Sequence, residues 1–173
     1  MLPSGYRFAG VHSGLRASEP GRLDLALIVS DRPAAAAGVF TQNRVAAAPV
    51  QLCRARLPRR DARGVVVCSG NANACTGDQG LRDAEQMAAL AASAIGCHPE
   101  QVLVASTGVI GRLLPMATMA TGIPLAAARL GADIAAFEAA ATAILTTDTR
   151  MKTAVRSLGD CVVAGFAKGA AMI

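Results

Sequence analysis

The chain has 173 residues, 53% of them hydrophobic but only 3% aromatic and none of them Trp, so its core must be built from Ala, Val, Leu and Ile. No apolar run reaches the roughly 20 residues of a membrane span, and no basic segment followed by an apolar one opens the chain, so a cytoplasmic protein is expected. The net charge of +5 gathers in Arg54, Arg56, Arg59, Arg60 and Arg63, either a phosphate-binding patch or a solvated connection between two strands; no aromatic residue interleaves them to stack a base, which argues against nucleic acid.

The first third reads as β-structure. Residues 23–29 alternate partially and are predicted to end as a strand at Ser30-Asp31-Arg32-Pro33, with short β runs following at 37–40 and 49–53. Residues 64–68 are continuously apolar, which suits a strand covered on both faces. They empty into 69–77, a loop too rich in Gly and Asn for regular structure. A helix is predicted from Asp78 to Gly96, burying Ala84, Met87, Ala88, Ala91 and Ile95 and exposing Arg82, Glu85, Gln86 and Ser93, with Gly96 as a left-handed cap.

Residues 102–111 carry the strongest local signal. A β-branched run ends in Ser106-Thr107-Gly108, as when a strand hands its chain to a loop and leaves backbone N–H groups and a hydroxyl free for a ligand. Pro115 is expected to open a helical piece, Pro124 to restart it and Gly131 to end it. Residues 133–145 form a further helix on a stripe of Ile134, Phe137, Ala141 and Ile144. Residues 153–157 and 161–166 flank Leu158-Gly159-Asp160 and read as a hairpin. Strands and helices mix without strict alternation, so a layered α/β domain is expected. The chain closes on the apolar pair Met172-Ile173, whereas termini normally trail into solvent, and this predicts a continuation packed alongside.

Familiar catalytic signatures are missing: no phosphate loop, no Gly-x-Ser-x-Gly elbow and no His-Glu-x-x-His. Five cysteines and two histidines, His12 and His98, show no metal-ligand spacing, and reduced, mostly buried thiols are expected. Cys75, in its Gly/Asn-rich loop, is a candidate thiol nucleophile with His98 as base. Four segments remain, at 69–77, 106–111, 146–150 and 167–169. Together they offer hydroxyls, free amides and one ammonium, an inventory that can bind a carboxylate or polarise a carbonyl without supplying an activated nucleophile.

In order, Ser69-Gly70-Asn71-Ala72-Asn73-Ala74-Cys75-Thr76-Gly77, Ser106-Thr107-Gly108-Val109-Ile110-Gly111, Thr146-Thr147-Asp148-Thr149 with Lys152, and Ala167-Lys168-Gly169 resemble the motifs of the ornithine acetyltransferase family, the bifunctional glutamate N-acetyltransferases of arginine biosynthesis. Residues 5–11 and 37–43 match in the same order, so the resemblance covers essentially the whole chain. It implies a precursor that cuts itself before a threonine, with residues 1–173 as a single α-chain domain. A C-terminal β chain would complete it in a sandwich of the N-terminal-nucleophile type, assembled as two α and two β chains.

By the same resemblance, Thr107 (hydroxyl) and Gly108 (backbone N–H) would form an oxyanion hole, while Thr146 and Lys168 would bind the substrate amino acid. The implied reaction moves acetyl from N-acetylornithine to glutamate through a threonine on the β chain. It needs no metal or cofactor; acetyl-CoA is a candidate second donor. Met151 stands where the family often has proline, and Ala171 where it often has glycine. Two rivals remain: a non-catalytic domain that binds an amino acid or a partner through these loops, and the thiol enzyme on Cys75.

Overall fold

A computed structural model describes residues 1–16 and 18–170. Strands β1 (Tyr6–Val11), β2 (Leu25–Ala36), β3 (Arg59–Asn71) and β4 (Val102–Val109) form one sheet in that order. β1–β2 and β2–β3 pair antiparallel, but β3–β4 pair in parallel. A parallel neighbour needs a crossover. Helix α2 (Gly77–Ile95) supplies it, ending at Gly96 in the left-handed conformation. Its buried side is Ala84, Met87, Ala88 and Ala91, on the predicted face.

That side packs with Met119 and Ile123 of helix α3 (Met116–Ala128) onto Leu25, Leu27, Val66, Val102 and Val104. The opposite face of the sheet is covered over β1 and β2 by helix α4 (Ile134–Ala143), through Phe8, Ala26, Phe137 and Ala140. A methyl group on Gly10 would collide with the carbonyl oxygen of Ala139 and sit 2.9 Å from the nitrogen of Ala140, so the missing side chain is what lets α4 lie on β1. The hairpin of β5 (Lys152–Leu158) and β6 (Cys161–Ala167) forms its own sheet, mostly exposed. Phe166 ties it to the body by meeting Phe137 edge-on at 5.4 Å, while Phe137 meets Phe8 at 5.2 Å. Among the described residues no helix is long and apolar enough to cross a membrane.

Several expectations change. β2 does not stop at Ser30: it continues through a register shift to Ala36, and residues 37–40 form no strand. Residues 49–53 lie in helix α1 (Ala48–Arg56), with Pro49 in its first turn, where a missing N–H costs nothing. An apolar run this short carries no period that separates strand from helix. Residues 64–68 are a strand, but only the face of Gly64, Val66 and Cys68 is buried; Val65 and Val67, on the other face, are partly exposed. α3 passes through Pro124 as one helix and ends at Ala128, not Gly131. Pro124 leaves the Ala120 carbonyl without its helical donor, and Ala120 is exposed to water. Ile134, placed on the apolar stripe of α4, is 55% exposed.

Gly10→Ala forces α4 off β1, an overpacking cost of about 3 kcal/mol or more. Urea unfolding of the full-length protein should show the midpoint fall with an unchanged slope; an unaltered midpoint contradicts the close approach.

Candidate functional site

The parallel pairing brings the ends of β3 and β4 side by side, with Ser69 opposite Thr107 and Gly70 opposite Gly108. β4 runs through Thr107 and Gly108 to Val109, past the expected turn at Ser106. Gly108 has φ +135°, and a Cβ there would run into the Gly70 carbonyl and lie 2.7 Å from the Asn71 nitrogen. Only glycine fits, on conformation and on space. Thr107 is half-buried and Gly108 exposed, so a hydroxyl and a main-chain segment face outward together.

Of the segment 69–77 expected as a loop, Ser69–Asn71 still belong to β3 and Gly77 opens α2; Gly70 lines the cavity, and the polar side chains of the segment hold this exit in place. Asn71 Nδ2 donates to the carbonyls of Arg112 (3.2 Å) and Leu113 (2.9 Å), and Asn71 Oδ1 accepts from the Asn73 N–H. Asn73 Nδ2 donates to the Gly80 carbonyl, Thr76 Oγ1 donates to Asn73 Oδ1, and the Ser69 hydroxyl donates to the Ala143 carbonyl. Main-chain bonds from Ala72 to Val109 and from Gly111 to Ala74 complete the brace.

Lining the same cavity as this exit are Thr146, just beyond α4, and Lys168, just beyond β6. Lys168 Nζ donates to Thr146 Oγ1 at 3.3 Å, leaving other ammonium hydrogens for a ligand. Asp148 staples the two segments: its Oδ1 accepts from Lys152 Nζ at 2.7 Å and from the Gly169 N–H at 2.7 Å. Asp148 therefore holds the chain beside Lys168. Those two donors, the Lys152 ammonium first, hold the buried Asp148 carboxyl down to about 2.

Thr107, Gly108, Thr146 and Lys168 all line one cavity of about 760 Å³. Four segments far apart in sequence thus converge, as the resemblance implied. The cavity also holds residues that the sequence did not single out, Arg16, Glu19 and Arg112. The Arg16 side chain is 9% exposed, and its pKa is pulled below the ordinary value by burial first and then by Arg22. Its loop is organised by buried Asp24, which accepts from the N–H groups of Ser13, Gly14 and Arg16 and from the Ser13 hydroxyl. The one sequence signal was a lone acid inside the apolar run Leu23-Asp24-Leu25-Ala26-Leu27.

Other candidates do not converge. Cys75 precedes α2 and His98 follows it, so 19 helical residues, about 28 Å, lie between the thiol and its supposed base. Two of the five cysteines, Cys53 and Cys68, are buried; Cys75 and Cys161 are exposed and Cys97 is intermediate, so the thiols are not mostly buried. Burial pushes Cys53 up and Cys68 up to about 11, away from the thiolate a nucleophile needs. The arginine cluster is not a connection between two strands: it runs from the end of α1 into β3. Arg54 and Arg56 end α1, Arg56 donates to the Pro99 and Val102 carbonyls, Arg59 pairs with Asp61, and Arg63 donates to the Ser30 carbonyl. Ala171, Met172 and Ile173 lie outside the described residues, as does any structural effect of alanine at 171.

The model of the ArgJ family matches residues 7–173. The arginine biosynthesis bifunctional protein ArgJ of Rhodopirellula baltica is 48% identical over 177 residues, and that of Geobacter sulfurreducens 50% identical over 177 residues. Both alignments take in 100% of this chain but only 43% and 44% of the relative, so the chain spans less than half the length of these proteins. A crystal structure of ArgJ from Bacillus halodurans superposes with a TM-score of 0.90 at 38% identity, over 99% of this chain and 90% of the crystallised one. Ornithine acetyltransferase from Mycobacterium tuberculosis, crystallised with ornithine, gives 0.94 at 40% identity, over 99% and 91%. The layered α/β architecture expected from the sequence is the one these structures share.

A carboxyl held low in the folded state stabilises it above the unfolded value, about 3.9, and loses that contribution as pH falls toward 2. The melting temperature of the full-length protein should therefore exceed that of Asp148→Asn at pH 5, and the gap should close as pH falls to 2. A gap independent of pH contradicts the staple.

Proposed function

Since the chain belongs to the ArgJ family, we propose that it is the α chain of a self-processing acetyltransferase that moves acetyl from N-acetylornithine to glutamate. The observation that carries this reading is the convergence of Thr107 and Gly108 with Thr146 and Lys168 on one cavity. One wall has the groups that steady a carbonyl oxygen as it becomes negative; the other has an ammonium for a carboxylate. A volume of about 760 Å³ accommodates an acetylated amino acid. The relative crystallised with ornithine supports the same substrate class.

In this reading residues 1–173 form the α-chain domain, and a threonine exposed by self-cleavage heads the β chain. Its α-amine, with an ordinary pKa of about 7.7–8, serves as its own base near neutral pH. The hydroxyl attacks the acetyl carbonyl, and the tetrahedral oxyanion accepts hydrogen bonds from the Thr107 hydroxyl and the Gly108 N–H. The C–N bond breaks, ornithine leaves with the proton, and acetyl rests as an ester on the threonine. Glutamate then enters, its amine attacks the ester, and N-acetylglutamate departs with the threonine hydroxyl restored. Lys168, beside Thr146, holds the α-carboxylate common to both amino acids, so one site serves donor and acceptor in turn.

The surface supports a β-chain partner. β4 is an edge strand of its sheet, Val65 and Leu103 are only partly buried, and a two-stranded hairpin is marginal without cover. An α2β2 assembly in the cytoplasm follows the family resemblance. Acetyl-CoA remains a candidate second donor, and neither a metal nor a resident cofactor enters the chemistry.

Expression of the full-length precursor should yield two fragments on a denaturing gel, with an acetyl ester on the N-terminal threonine of the second after incubation with N-acetylornithine. In that protein Thr107→Ala should lower kcat by on the order of 100-fold or more. An uncleaved, inactive precursor overturns the reading, and an unchanged kcat removes Thr107 from it.

A further inference from the structure

The loop before β2 has no part in the reaction above, yet it reaches across to the segment that carries Thr146. Arg16 Nη2 donates to the Leu145 carbonyl at 3.1 Å, and Arg22 Nη2 donates to the Thr146 carbonyl at 2.6 Å. Glu19 lies between them, accepting from Arg16 Nη1 at 3.1 Å on one oxygen and from Arg22 Nη1 on the other. Two guanidinia bridged by one carboxylate thus take two successive carbonyls.

The base of this arrangement is rigid. Buried Asp24 accepts from the main-chain N–H of Arg16 itself, and the Asp24 carbonyl accepts from the Ser69 N–H at 2.8 Å. The next residue, Gly70, has no side chain, and a Cβ there would stand 3.0 Å from Arg16 Cγ. Arg16 therefore packs on the strand exit that faces Gly108, while its guanidinium grips the other wall of the cavity.

Cations near a helix C-terminus commonly do no more than satisfy its last carbonyls. Here α4 ends at Ala143 with Ile144 as its cap, and the gripped carbonyls belong to the two residues beyond it. Fixing the main chain at Thr146 fixes the direction of its Cα–Cβ bond, and so where its hydroxyl meets Lys168 Nζ. We propose that Arg16, Glu19 and Arg22 form a clamp that positions Thr146, and through it Lys168, for the carboxylate of the bound amino acid. They are positioning residues, and the clamp rests on the assignment of Thr146 and Lys168 to the amino-acid site.

A double-mutant cycle on the full-length protein tests this, with ornithine affinity read by calorimetry. Arg22→Met and Thr146→Val should each weaken binding by about tenfold, and the double variant by little more than either alone, because both remove the same placement. Glu19→Gln, at a side chain 42% exposed, keeps both guanidinia and should weaken binding by about threefold without altering the melting temperature. It serves where Arg22→Met lowers stability, and Arg22→Lys should recover part of the affinity. Losses that multiply in the double variant overturn the clamp, as does full affinity in Glu19→Gln and Arg22→Met. A wild type that binds no ornithine overturns it too, there being no amino-acid site to position. A wild type that binds ornithine but transfers no acetyl to glutamate instead overturns the functional reading, while the cycle still decides the clamp.

Discussion

Every feature of the candidate site depends on two strands ending together. β3 and β4 are parallel, so both deliver their C-terminal ends to the same edge, and the crossover α2 must lie on one face to allow it. Ligands of sheets with parallel strands gather beyond such ends. At this edge the strands approach so closely that Gly108 cannot carry a side chain against the Gly70 carbonyl. The contact exposes main chain next to the Thr107 hydroxyl; in the proposed reaction such a preorganised donor acts on developing charge without having to rearrange.

The remaining segments close around that edge. Asn71 and Asn73 spend their amide groups on the loops that leave β3 and β4, which turns an irregular stretch into a fixed brace. On the far wall Asp148 gathers Lys152 and Gly169, so the chain beyond β6 returns to the end of α4 and places Lys168 beside Thr146. Gly10 contributes from a distance, since α4 reaches its position only by lying directly on β1.

The sequence carried the periodic elements and the small-residue motifs well. α2 buries Ala84, Met87, Ala88 and Ala91 at the predicted helical spacing, and the hairpin is marked by Gly159-Asp160 between β-branched runs. It carried the long-range polar framework poorly. Asp24, Arg16, Glu19 and Arg22 form a network whose partners lie up to 129 residues away, and no spacing rule connects them. Short apolar runs misled for a related reason: residues 49–53 pack as a helix because α2 and β4 offer a surface there, which local pattern does not reveal. The proline in α3 falls where the residue whose carbonyl it orphans, Ala120, is exposed. Cys75 and His98 looked like partners only until a helix was seen to hold them apart.

The central claim is that this chain supplies the groups that receive negative charge and the substrate carboxylate, on opposite walls of one cavity. A crystal structure of the full-length protein with a bound N-acetylated amino acid tests it most directly. The account predicts the acetyl oxygen about 2.7–3.1 Å from Thr107 Oγ and the Gly108 nitrogen, with the carboxylate on Lys168 Nζ. An acetyl group seated away from Thr107 and Gly108, or a carboxylate held elsewhere while Lys168 stays on Thr146, contradicts it.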